Sequence, residues 1–92
     1  MNLVLCYAGT TGKVSGSIKT VKNNESVIGA DIIILGTAIG GSSDTDGNYV
    51  INNVPPGNYS VKAQFIGYKS ETGENVQVSS DMTSRVNLSL EE

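Results

Sequence analysis

From Val14 to Leu90 the apolar residues of this chain fall at intervals of two. Val14, Gly16, Ile18 and Thr20 share one face of an extended segment, while Ser15, Ser17 and Lys19 share the other. That is the period of a half-buried strand. The clearest strand sets Tyr59, Val61, Ala63 and Phe65 against Ser60, Lys62 and Gln64. Val76 and Val78 mark another. In the last one Val86, Leu88 and Leu90 alternate with Arg85, Asn87 and Ser89. Ala30–Leu35 breaks the rule, because Ile32 to Leu35 are apolar on both faces. Such a run predicts a strand buried on two sides or covered by a neighbouring segment.

Turn chemistry separates these segments. Lys22-Asn23-Asn24-Glu25 is a polar turn whose asparagines tolerate left-handed backbone. Asp46-Gly47 introduces the short strand Asn48–Asn52. Thr37–Ser43 reads as a loop or a short irregular edge. Pro55 and Pro56 cannot donate to a ladder, so Val54–Asn58 should lie outside the sheets. No helical period runs for about ten residues anywhere. About seven short strands at this spacing predict an all-β, two-sheet sandwich. Its inward set is Val14, Ile18, Ala30, Ile32, Ile34, Tyr49, Ile51, Tyr59, Val61, Ala63, Phe65, Val76, Val78, Val86 and Leu88.

The length of 92 residues suits one domain. Cys6 is the lone cysteine and there is no histidine, so the sequence lacks the Cys and His clusters typical of zinc sites and the His-based nucleophile systems. With a net charge of −3 and dispersed lysines it has no basic stripe along the chain for nucleic acid. No apolar run approaches the roughly 20 residues of a membrane-spanning helix. Met1–Ala8 differ from the rest. They are apolar, and Cys6 and Ala8 occupy the small-x-small pattern of a signal-peptidase site. We expect 1–8 to be the tail of a secretion signal lacking its charged start, and 9–92 to be the domain. The alternatives are an extra edge strand at Leu3-Val4-Leu5, or lipidation at Cys6, for which Leu5 is too large.

Four motifs in order carry a resemblance. They are Gly29-Ala30-x-Ile32-x-Ile34-x-Gly36-Thr37, Asp44-x-Asp46-Gly47-x-Tyr49-x-Ile51, Val54-Pro55-Pro56-Gly57-x-Tyr59-x-Val61-x-Ala63 and Gly67-Tyr68. Together they resemble the carboxypeptidase regulatory-like domain family over roughly Lys13 to Leu90. The resemblance implies a transthyretin-like, seven-stranded Greek-key sandwich without catalysis. Such domains occur beside carboxypeptidase domains, in bacterial surface proteins, and ahead of the plug of TonB-dependent outer-membrane receptors. Ser43, where the family often has Thr, and the absence of Pro before Gly29 are mild departures. The implied location is exported, either periplasmic or associated with the outer membrane or cell surface.

Several residues invite a functional reading. Asp44 and Asp46 could bind a cation, but Gly47 and Pro55 stand fourth and twelfth from Asp44, where an EF-hand loop places neither residue. A turn accounts for them better, and no metal or cofactor is expected. Two prolines are too few for a PxxP ligand. Tyr49, Tyr59 and Phe65 fall on the inward period, leaving Tyr68 as the ring placed to contact a ligand, carbohydrate first. Lys19 and Asn87 lie outward, and Ala63 or Gln64 stands where an isopeptide-promoting Glu belongs, so no isopeptide bond is expected. Ile33, Leu35, Ile39 and Ile66 are apolar yet off the inward face. They form a contact surface for a partner or another copy, or else Thr37–Ser43 folds over them. The leading expectation is a non-catalytic structural or interaction module that binds a neighbouring domain or protein through a sheet edge or apolar patch. Self-association is a second option, and a starch-binding-like carbohydrate module is the alternative.

Overall fold

A computed structural model describes residues 11–92, so the expectations on Met1–Ala8 and Cys6 lie outside the described residues. Eight strands and no helix make up the described part: β1 (Gly12–Thr20), β2 (Asp31–Ile34), β3 (Gly40–Ser42), β4 (Asn48–Val54), β5 (Gly57–Gln64), β6 (Glu71–Val78), β7 (Thr83–Arg85) and β8 (Leu88–Leu90). They form two four-stranded sheets. In one, β1 is flanked by β4 on one side and by β7 and β8 on the other; the second runs β3-β2-β5-β6. This is the expected sandwich.

The eighth strand is a break in the expected seventh. Lys13 faces Thr83 and Ile18 faces Leu88, both in parallel pairing at one unchanged offset along β1. The interruption falls where the chain crosses Gly16. A Cβ there would collide with the Val86 carbonyl, so only glycine lets the two backbones approach this closely. The crossing leaves its polar groups paired. The Val86 N–H donates to the Ser15 carbonyl at 2.7 Å. The Val86 carbonyl accepts from the Tyr49 hydroxyl at 2.6 Å. The Ser17 N–H finds the Asn87 Oδ1 at 3.0 Å in place of a ladder carbonyl.

The core between the sheets is Val14, Ile18, Val27, Ala30, Ile32, Ile34, Tyr49, Ile51, Val54, Val61, Ala63, Val76, Val78, Leu88 and Leu90. Three of these were outside the predicted inward set. Val54 turns inward because the β1–β4 register shifts between Gly12 and Val14, and Asn53 on the partner strand sits at φ 61°. One extra residue resets the alternation, as a β-bulge does. Asn75, at φ 58°, sits opposite a second shift between Tyr59 and Val61. Val27 belongs to no strand; its N–H donates to the Ile18 carbonyl at 2.9 Å. Leu90 closes the end of the last strand and is fully buried. Conversely, Tyr59, Phe65 and Val86 are only half-buried against the core.

Ser43 is the buried polar residue of the described part. Its hydroxyl donates to the Val27 carbonyl at 2.6 Å and accepts from the Ala30 N–H at 2.9 Å. It thereby serves two backbone groups that the strands leave over. Thr37–Ser43 is partly strand: β3 pairs antiparallel with β2 and forms a short edge. Pro55 and Pro56 lie between β4 and β5, while Gly57 already pairs with Val78.

Candidate functional site

Asp44 and Asp46 occupy the loop that enters β4. One carboxylate oxygen of Asp44 accepts from the Asp46 N–H at 2.9 Å and from the Asn48 N–H at 3.0 Å. The Asp44 carbonyl accepts from the Gly47 N–H at 2.9 Å, and its N–H donates to the Asn48 carbonyl at 2.8 Å. Asp44 thus acts as the fastener of its own turn. Asp46 is exposed. Among the described residues, no group of three Asp, Glu, Cys or His side chains gathers as a metal site would require.

The apolar residues left off the core separate. Ile39 packs against the core. Ile33 is half-buried on the outward side of β2, beside Lys62 of β5 and Gly40 of β3. Leu35, just past the end of β2, is 41% exposed, and its N–H donates to the Ser60 carbonyl. Ile66 is 90% exposed, beyond the far end of the β2–β5 pairing, where Asp31 meets Gln64. Ile33 and Leu35 therefore form a strip of two, and Ile66 stands apart.

Tyr68 stands at one end of the sandwich, where three pieces of backbone meet. A tight turn brings it there: its N–H donates to the Phe65 carbonyl at 3.0 Å, and Gly67 supplies φ 88°. The Phe65 and Tyr68 rings pack with centroids 5.8 Å apart, tilted by 49°. Next to it the Lys69 N–H donates to the Glu91 carbonyl at 2.6 Å, which ties this turn to the tail. The opposite wall is the Thr20–Glu25 turn. There the Thr20 hydroxyl donates to the Asn23 side-chain oxygen at 2.6 Å and accepts from the Glu25 N–H at 3.1 Å. Asn24 takes the left-handed conformation at φ 58° that its position demands.

Between these walls lies an open cleft of about 490 Å³ that includes Thr20, Asn23, Glu25, Tyr68, Leu90 and Glu91 in its lining. One aromatic ring, carboxylates and an amide face the same space. Such groups can stack on an apolar face and accept or donate hydrogen bonds. Sequence reasoning found Tyr68 but not Glu25, Asn23 or Glu91. Asn23 and Glu25 come from one turn, Glu91 from the tail and Tyr68 from another turn, and no local pattern links the three segments.

Burial pushes the Tyr49 phenol up to about 12. Its hydroxyl is held by a backbone carbonyl inside the sandwich, so this shift is a property of the core and not of a reacting group.

The model of the CarboxypepD_reg-like domain family matches residues 14–92. No curated protein matches the chain by sequence. Among solved structures, chains from two interface mutants of the Coh3ScaB–XDoc type II cohesin–X-dockerin complex of Acetivibrio cellulolyticus are similar. They share 25% and 26% identity, with TM-scores of 0.70 and 0.69, over 84% of this chain and 52% of theirs. The Bacillus anthracis TIE protein shares the fold at 21% identity and a TM-score of 0.67, over 90% of this chain and 17% of that one. The present chain thus spans about half the length of the first two and a smaller part of the third.

Proposed function

The chain belongs to the CarboxypepD_reg-like domain family, and on that premise we propose that it is a non-catalytic interaction module at the front of a larger exported bacterial protein. A TonB-dependent outer-membrane receptor, with this domain ahead of its plug, is the arrangement we favour. The observation that carries the reading is how the domain uses its polar chemistry. Asp44, Ser43, Tyr49 and Tyr59 each bind backbone groups of this same chain, so they hold the fold together. What remains for a partner is surface: strand edges, the Ile33–Leu35 strip and the sheet faces. Edge strands accept partners by strand addition. Similarity to chains of a cohesin–X-dockerin complex supports a role in protein–protein contact.

Fractionation of the native host tests this. An antibody to the domain should detect, in the outer-membrane fraction, a species far heavier than the 9.6 kDa of this chain. A species of this size confined to the cytoplasm would overturn it.

The Tyr68 cleft favours a second reading, a carbohydrate-binding module of the starch-binding-like type. Maltooligosaccharide binding that disappears in Tyr68→Ala supports it, whereas a glycan array without any hit removes it.

A further inference from the structure

The outward face of the β4-β1-β7/β8 sheet carries only one sign of charge. Val14, Gly16 and Ile18 point inward, so Lys13, Ser15, Ser17 and Lys19 point outward. Pairing places Asn48 and Val50 beside them from β4, and Thr83, Arg85 and Ser89 from the last strand. Three cations thus stand on this face with no carboxylate among its described residues. The other three, Lys22, Lys62 and Lys69, share the remaining surface with all nine carboxylates of a chain whose net charge is −3. Asp46 and Asp81 lie in turns at the rim, before β4 and β7, and Glu91 lies at the rim just past the end of β8. Among the described residues none of the three makes an ion pair with Lys13, Lys19 or Arg85.

We propose that this face binds an extended acidic peptide segment of a partner protein, held by Lys13, Arg85 and Lys19. The cations form a row along the strand direction. Arg85 lies beside Ser15 one strand over, so the three fall at the levels of residues 13, 15 and 19 of β1. With a rise of about 3.3 Å per residue, the steps are about 7 and 13 Å. A peptide in the same extended conformation presents alternate side chains at this spacing, so carboxylates at i, i+2 and i+6 come opposite the three cations. Between the cations the side chains are small and mostly polar, namely Ser15, Ser17, Asn48, Val50 and Ser89, and they leave a shallow bed with donors and acceptors.

The composition of the face selects against other polyanions. Single-stranded nucleic acid and sugars are gripped by aromatic stacking, and no aromatic residue lies among the described residues of this face. An anionic membrane surface calls for about four to eight clustered cations, more than are present. The proposal rests on the interaction-module reading only in supposing a protein partner. The peptide experiment reads the face itself and fractionation reads the larger protein, so the two fail separately.

Fluorescence anisotropy with a labelled (Ser-Glu)6 peptide tests it at low ionic strength, where surface charges are least screened. The wild type should bind, and binding should fall steadily with added salt. Lys13→Glu/Lys19→Glu/Arg85→Glu should weaken it at least about tenfold, whereas Lys22→Glu/Lys62→Glu/Lys69→Glu, with the same change in net charge, should weaken it less than about twofold. Circular dichroism checks that both variants are folded; the substituted side chains are exposed or half-buried, so folding should be retained. Absence of wild-type binding, or equal losses in the two variants, would overturn the proposal. So would tighter binding of polygalacturonate, oligothymidylate or phosphatidylglycerol vesicles than of the peptide.

Discussion

The tripeptide Gly-Asn-Tyr occurs twice, at Gly47-Asn48-Tyr49 and Gly57-Asn58-Tyr59, and each copy opens a strand in a different sheet. Both are followed by one residue and then by a buried aliphatic side chain, Ile51 or Val61. In both, the tyrosine hydroxyl donates to a backbone carbonyl. There the likeness ends. Gly47 is buried at φ 79°, and a Cβ on it would lie 2.8 Å from the Ser26 Cβ and 2.9 Å from the Ile18 carbonyl oxygen. Gly57 is exposed, sits in ordinary strand pairing with Val78, and a Cβ there would find its nearest neighbours in the Tyr59 side chain, at 3.3 Å.

The tyrosines diverge in the same way. Tyr49 is 2% exposed and reaches Val86, 37 residues along the chain, where the last strand breaks over Gly16. Tyr59 is half-buried and bonds the Pro55 carbonyl four residues back, at 2.7 Å. The first bond joins distant strands; the second fastens a local corner. Identical local sequence thus serves a tertiary contact in one sheet and a turn in the other.

This contrast can be broken by substitution. Gly47→Ala carries the largest expected effect. A left-handed backbone costs a residue with a Cβ about 1–2 kcal/mol, and the contacts with Ile18 and Ser26 bring the loss to at least about 3 kcal/mol. Urea unfolding should show it, while Gly57→Ala should stay within about 1 kcal/mol. Equal losses would mean that the two turns are not different in kind.

Next comes the alkaline limb of stability. The Tyr49 phenol titrates at about 12 in the folded chain, above its ordinary value, because burial disfavours the phenolate. The ordinary value is about 10 in the unfolded chain, so the stabilisation is fully present below about pH 10 and is lost as pH rises towards 12, by about 2–3 kcal/mol in all. The difference in stability between wild type and Tyr49→Phe isolates this loss. A difference that does not change between about pH 9 and 12 would contradict it.

At neutral pH, Tyr49→Phe should cost about 1–2 kcal/mol, since it strips the Val86 carbonyl of its donor inside the sandwich. Asp44→Ala should cost about 1 kcal/mol through the two N–H groups that it leaves to water. The smallest effect should be that of Tyr59→Phe, under about 0.5 kcal/mol, because water can replace the hydroxyl at the exposed Pro55. Thermal unfolding of the three variants under one condition would rank them. Tyr59→Phe falling at or above Tyr49→Phe would collapse the distinction.

Much of this fold was legible because strand alternation is local. Val14, Ile18, Ile32, Ile34, Val61 and Ala63 were placed inward by spacing alone, and all are fully buried. The Asp44–Gly47 turn was legible for the same reason, since its bonds span at most four residues. Alternation failed where the backbone slips. Val54 was hidden by the extra residue at Asn53, and Phe65 was placed too deep because its strand ends at Gln64. The apolar group Ile33, Leu35, Ile39 and Ile66 was legible as off-period residues, but not as residues that the fold would scatter.

The surfaces show the same division. The sequence reports six cations and nine carboxylates with no order visible along the chain. Lys13 and Arg85 become neighbours only because the last strand runs parallel to the first. Glu25, Tyr68 and Glu91 share a cleft only because two turns and the tail meet there. The sequence by itself determined the sandwich class, its turns and most of its core, since these depend on side-chain period and on backbone preferences that act over a few residues. Tertiary structure decided which of two Gly-Asn-Tyr copies is buried, where the last strand breaks and which charges share a face. Those outcomes depend on strand pairing across as many as 70 residues, where packing and steric exclusion at Gly16 and Gly47 outweigh local preference.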